Sequence, residues 1–216
     1  PSGALIIDPM CGKAAILLEA VNLWPTAIAI GLDCDDHKQL ECAKANRAAL
    51  PPSLRERLML LHGDAGALPL GENVCDAIVC DLPFEVVSRF GYSLDTSRGS
   101  TLAKCACEWA RVLQPAGKVV LLTSEEQAPN VHEALKHAAL AVTCERPCPL
   151  GFTKAVIIVA GHKDDNAASA TEATRGGLPW ESAHGRRSEW HVMRKEGRAP
   201  MIPWASSQGE RAVRLE

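Results

Sequence analysis

No apolar run in the sequence approaches the ~20 residues that a helix needs to cross a bilayer, so no helical membrane span is expected. The opening Pro1-Ser2-Gly3 lacks the charged and apolar regions of a secretory signal, and the missing initiator Met makes a fragment or a processed chain the expectation. Nine cysteines include no Cys-x-x-Cys, and their odd number and apolar neighbours read as small buried hydrophobes in a reducing, intracellular compartment. Cys105-x-Cys107 and Cys144-x3-Cys148 are too weak a pattern for zinc, so no metal site is expected. Base is scarce too: Lys and Arg number 23 against 26 Asp and Glu, for a net charge of −3. That balance excludes a broad basic nucleic-acid surface, and any phosphate contacts must come from another domain or from a few local Arg and Lys side chains. Internal repeats and a G-x-G-x-x-G run are both missing, and the latter absence argues against a nicotinamide-dependent dehydrogenase.

What is present is enough apolar sequence for one globular domain with residues to spare, at 47% hydrophobic and 23% charged over 216 residues. Ala4 to Ile7 reads as a short strand that runs into Asp8-Pro9-Met10-Cys11-Gly12, and the residues from Gly12 through Val21 suit a helix. A strand, tight turn and helix in that order aim backbone N–H groups at a ligand. Ile28 to Leu32 is a second strand ending at Asp33, followed by an amphipathic helix over Asp36 to Ala49 that Pro51 and Pro52 break. An acidic residue at that strand end takes a ribose diol in dinucleotide-type folds, or else caps the next helix, a task open equally to Asp35 or Asp36.

Further strands are expected over Leu58 to Leu61 and Val74 to Cys80, with a helix from Ser100 to Leu113 and a turn at Gln114-Pro115-Ala116-Gly117. A fifth strand over Lys118 to Thr123 and a helix over Glu126 to Ala139 precede two runs, Ala141 to Cys144 and Ala155 to Ala160, that could pair as a hairpin. The alternation predicts an α/β domain with a doubly wound, mostly parallel sheet of seven strands closed by an antiparallel pair, over residues 1–163. Residues 164–216 lose periodicity and are rich in Ala, Ser, Gly, Pro and Arg, so a disordered tail is expected there.

Asp81-Leu82-Pro83-Phe84 follows the fourth strand, at the place where open α/β sheets hold ligands. The Asp81 carboxylate and the following carbonyls can accept both hydrogens of a planar exocyclic amine, while Phe84 offers a face on which a base stacks. A plain strand-ending turn is the competing reading, since Pro is ordinary punctuation there.

Taken together, Asp8 to Gly12, Asp33, Asp64, Asp81 to Phe84 and the Arg111 to Gly117 turn resemble the motif series of class I S-adenosylmethionine-dependent methyltransferases, with their Rossmann-like sheet. The Asp-Pro-Met-Cys-Gly stretch with Glu19-Ala20, the Asp-Leu-Pro-Phe tetrapeptide, and Leu150-Gly151 followed by Thr153, Ala155 and Ile157 resemble one branch, the THUMP-domain-containing guanosine N2-methyltransferases of RNA. The resemblance implies that Asp8, Pro9, Met10, Cys11 and Gly12 hold the amino-acid end of S-adenosylmethionine, Asp33 its ribose, and Asp64 with Ala65 its adenine. It further implies that Asp81 with the Leu82 and Pro83 carbonyls holds the guanine amino group and that Phe84 stacks on the base. The substrate implied is a structured tRNA or small nuclear RNA, and the partner implied is a small zinc-binding activator that adds a strand beside Leu58 to Leu61. Two residues depart from the branch: Ala14 replaces a Gly, at a cost of about 1–2 kcal/mol if positive φ is required, and Glu85 stands where Gly precedes Lys or Arg. These departures favour the alternative of a weak or inactive methyltransferase-fold scaffold.

Overall fold

The computed structural model describes residues 3–84, 101–148, 150 and 154–163. Glu85, Gly151, Thr153 and the expected tail over 164–216 lie outside them. The chain runs β1 (Leu5–Asp8), α1 (Ala15–Leu23), β2 (Ile28–Asp33), α2 (Gln39–Ala48), α3 (Pro52–Arg55), β3 (Leu58–His62), β4 (Cys75–Asp81), α4 (Thr101–Val112), β5 (Leu113–Ser124), α5 (Ala128–His137), β6 (Leu140–Pro147) and β7 (Ala155–His162). The strands form one sheet in the order β3-β2-β1-β4-β5-β7-β6. Pairing is parallel from β3 through β5, and β7 runs antiparallel to both β5 and β6. The doubly wound sheet with its closing hairpin is therefore the one the periodicity predicts.

Alternation along the strands sends apolar side chains to both faces of the sheet. On one face, Ile7, Ile78, Val119, Leu121 and Ile158 join Trp109 of α4 and Val131 and Leu135 of α5. On the other, Ile6, Ala29 and Leu58 pack under Leu17, Leu18 and Val21 of α1 and Leu40 and Ala43 of α2. The strand order reverses between the parallel neighbours β1 and β4, and their carboxyl ends, Asp8 and Asp81, open onto a shared crevice.

Three local expectations change. The helix expected from Asp36 begins at Gln39, because side chains claim the backbone first: Asp33 Oδ1 accepts Asp35 N–H at 2.9 Å and Asp35 Oδ1 accepts Lys38 N–H at 3.0 Å. Pro52 starts a short helix, at a first position where its missing N–H costs nothing, instead of only ending one. The turn expected at residues 114–117 is absorbed into β5 as a bulge, since Leu113 pairs with Cys75 and Lys118 with Ala77. Gly117 permits it, because a Cβ there would lie 2.6 Å from the Leu113 side chain.

The cysteines divide. Cys11, Cys75, Cys80 and Cys105 are buried as expected, whereas Cys34 and Cys107 are exposed. Burial pushes the Cys75 and Cys105 thiols up to about 12, so both stay protonated and behave as small hydrophobes.

Candidate functional site

A cleft of about 350 Å³ lies above the carboxyl ends of β1, β2 and β4, within the range of small-molecule sites. Asp8, Pro9, Met10, Cys11 and Gly12 form one wall, Asp33 with Cys34 and Asp35 another, and Ala65, Asp81 and Pro83 the rest. Nine of the twelve residues singled out in the sequence thus line one cavity. The structure does not bring the other three into its wall. Asp64 is exposed, with Oδ1 accepting Gly66 N–H at 2.8 Å. Leu82 is buried in the core, its N–H donated to Leu122 O at 2.9 Å, and Phe84 is half-buried.

The first wall is a tight turn with two left-handed residues, Gly12 at φ 51° and Ala14 at φ 63°. Its shape is fixed from β2: Cys11 N–H reaches Leu32 O at 2.9 Å, and Gly12 N–H reaches Asp33 Oδ2 at 2.7 Å. Asp33 therefore accepts two backbone N–H groups, from Gly12 and Asp35, and a diol would have to use its remaining lone pairs. None of Asp33, Asp35 and Asp36 caps α2, whose N-cap residue is Lys38 with no side-chain cap; Asp35 Oδ1 instead accepts the Lys38 N–H in the turn before the helix. Ala14 occupies the N-cap position of α1 with no side-chain cap, leaving the first N–H groups of the helix beside Lys13, Ala15 and Ile16 in the cleft wall.

The positive φ on which the cost of Ala14 depended is present, at 63°. Ala14 is fully buried among Ile6, Leu17 and Leu18 and is not in the wall, so its cost is backbone strain alone.

Charge in the cleft is one-sided. Among the described residues, Asp8, Asp33, Asp35 and Asp81 face a single lining cation, Lys13. Asp8 is only 2% exposed, and desolvation, opposed by the Met10 N–H bond and reinforced by the charges of Asp33 and Asp81, raises its pKa from 3.8 to about 7. The Cys80 thiol also donates to it. Desolvation raises the Asp81 carboxyl as well. Such a site favours a ligand that brings positive charge, and Asp81 and Pro83 line the same cavity as the turn.

The sequence reading missed Lys13, Ala15, Ile16, Cys34, Asp35 and Gln39 as wall residues. Their adjacency to the turn and to Asp33 was the only available signal. Gln39 in particular sits on the first turn of α2, and its Oε1 would meet a Cβ on Gly12 at 3.8 Å.

Residues 2–154 match the family described as UPF0020, RMKL-like, methyltransferase domain. The chain is 36% identical over 125 residues to the Bos taurus U6 snRNA (guanine-N(2))-methyltransferase THUMPD2, covering 58% of this chain and 23% of that protein. It is 31% identical over 131 residues to the Homo sapiens tRNA (guanine(6)-N(2))-methyltransferase THUMP3, covering 56% and 25%. This chain thus spans about a quarter of the length of the curated relatives it matches. Among solved structures, the complex of the Haloferax volcanii Trm112 methyltransferase activator with a methyltransferase superposes at a TM-score of 0.56, with 16% identity over 74% of this chain and 82% of that one. The glycopeptide N-methyltransferase MtfA complexed with S-adenosyl-L-methionine gives 0.58 at 14% identity, over 74% and 81%. These likenesses establish the fold.

Proposed function

The chain belongs to the RMKL-like methyltransferase-domain family (UPF0020), and from that premise we propose that it transfers a methyl group from S-adenosylmethionine to the exocyclic N2 of a guanosine in structured RNA, a tRNA or a small nuclear RNA. One observation carries the reading: Asp81 and Pro83 share a cavity with Asp8 to Gly12 and Asp33, so acceptor-binding and cofactor-binding residues open onto one space. The guanine-N2 relatives, at 31–36% identity, support the choice of acceptor.

The residues present fit the cofactor. Four carboxyls suit its sulfonium and ammonium, and the uncapped start of α1 suits its carboxylate. When bound, S-adenosylmethionine supplies an electrophilic methyl group. Asp33 holds the ribose, the Asp8 to Gly12 turn holds the amino-acid end, Ala65 packs on the adenine, and Asp8, drawn toward its ionised form by a nearby cation, adds attraction at the sulfur. Asp81 and the Leu82 and Pro83 carbonyls accept the amine hydrogens and stabilise the charge that develops on nitrogen, while Phe84 stacks on the base. Asp64 shapes this wall through Gly66.

The partner belongs to the same proposal. Strand β3 lies at the sheet edge, Met59 on it is 48% exposed, and neither charge nor proline interrupts Leu58 to Leu61. A small zinc-binding activator that adds a strand there would cover it, the mode called β-augmentation. In the proposed assembly, residues 1–163 are the catalytic domain of an intracellular enzyme.

Radiolabelled methyl transfer to total RNA, with and without that activator, tests the proposal. Incorporation into N2-methylguanosine that Met59→Lys abolishes is the expected result. Cofactor binding with no transfer to any RNA would instead support the scaffold alternative.

A further inference from the structure

The segment between β3 and β4 contains neither helix nor strand, so its backbone groups need partners from elsewhere. The side chains of two residues one turn apart on α4 supply partners for three of them. Glu108 Oε1 accepts Arg111 Nε–H and Oε2 accepts Nη2–H, both at 2.7 Å, in a planar fork. The same groups reach the loop: Glu108 Oε2 accepts Leu68 N–H at 2.7 Å, and Arg111 donates to Leu68 O at 3.0 Å and to Leu70 O at 2.8 Å. Hydrogen bonding from Arg111 holds the Glu108 carboxyl below its usual range, which keeps it an acceptor.

Higher on α4 the loop lies flush against the helix. A Cβ on Gly66 would stand 3.3 Å from Lys104 Cβ, and Cys105 feels the charges of both Asp64 and Glu108. Ala65, 2% exposed and part of the cleft wall, is held between these fixed points. An exposed ion pair by itself contributes little. This one is different in kind, because three of its bonds end on the backbone of a loop that walls the cleft.

We propose that Glu108 and Arg111 are positioning residues for the adenine end of the cofactor: they fasten the Leu68 to Leu70 backbone to α4 so that Ala65 keeps its place in the wall. The inference rests on the reading that the cleft takes S-adenosylmethionine. Loosening the fork lets the loop lift from α4 and removes the packing surface for the adenine ring, while the Gly12 turn and Asp33 stay in place.

Calorimetry on the full chain tests it with two ligands, S-adenosylhomocysteine and S-ribosylhomocysteine, which shares the sugar and amino-acid portions but has no adenine. Arg111→Ala should weaken S-adenosylhomocysteine about tenfold and change S-ribosylhomocysteine by less than about twofold. Arg111→Lys, which cannot form the fork, should behave similarly if the alanine variant does not fold. Glu108→Gln, which still accepts Leu68 N–H, should lose only about threefold. Equal weakening of both ligands, or a lower melting temperature with unchanged affinities, would overturn the positioning role. Wild-type protein that binds neither ligand would remove the cofactor reading itself, and the inference with it.

Discussion

Gly12 and Asp33, 21 positions apart, are joined by a 2.7 Å hydrogen bond from the Gly12 backbone N–H to Asp33 Oδ2. The acidic residue expected to serve the ligand thus also holds the turn that forms the opposite wall. Its other oxygen accepts Asp35 N–H. Asp33→Ala should therefore destabilise the ligand-free protein by about 2 kcal/mol, since two partly buried N–H groups lose a charged acceptor. Asp33→Asn should lose less. Urea unfolding without ligand checks this, because a residue that served only a ribose would leave the melt unchanged.

The buried Asp8 carboxyl makes stability depend on pH in an unusual direction for an acid. Its pKa is raised from 3.8 to about 7, so the folded state binds this proton more tightly than the unfolded chain. The contribution is complete below about pH 4 and is lost as pH rises through about 7, a change on the order of a few kcal/mol. Ligand-free Asp8→Asn should lack this slope and should be the more stable protein at pH 8. The same linkage predicts that the cationic cofactor gains on the neutral product as pH rises. Paired melts at pH 6 and pH 8, with and without each ligand, measure both effects.

Asp81 should separate transfer from binding. Asp81→Ala is expected to abolish methylation of added RNA while changing S-adenosylhomocysteine affinity by less than about threefold, because its task is to accept hydrogens from the acceptor amine. Asp81→Asn, which keeps one acceptor without the charge, should retain partial activity. Phe84→Ala should mainly weaken RNA binding, by about 1–3 kcal/mol for a lost stacking face. Single-turnover transfer and filter binding distinguish the two losses.

Ala14→Gly should leave cofactor affinity within about twofold, since the Ala14 side chain faces the core and not the cleft. Ala14→Val is the informative change. A β-branched residue at φ 63° in a site with no free surface should cost about 3 kcal/mol or more in a denaturant melt. A cofactor-affinity gain in the glycine variant would count against that placement.

Strand order and the main wall of the cleft were legible because the pattern behind them is local. Asp8 and Asp81 each end an apolar run, and such ends meet wherever β1 and β4 are neighbours. The role of Asp35 was less legible, since three aspartates within four positions compete for the same N–H groups and only geometry chooses. The burial of Ala14 was not legible either, because it stands at the left-handed N-cap position, outside the helix whose periodicity would place it. The α4 fork escaped notice because Glu108 and Arg111 resemble any i, i+3 pair on a helix surface until the loop that receives them is in place.

The two borders of the sheet are unlike. Strand β6 carries Glu145, Arg146 and Pro147 along its outer half, residues that discourage another strand from pairing, whereas Leu58 to Leu61 on β3 carries no such guard. Among the described residues, β3 is therefore the border that invites strand addition. If the proposed partner adds its strand at β3, each molecule offers it one berth, which would give a one-to-one complex and would leave this chain without the two open borders that edge-to-edge polymerisation needs.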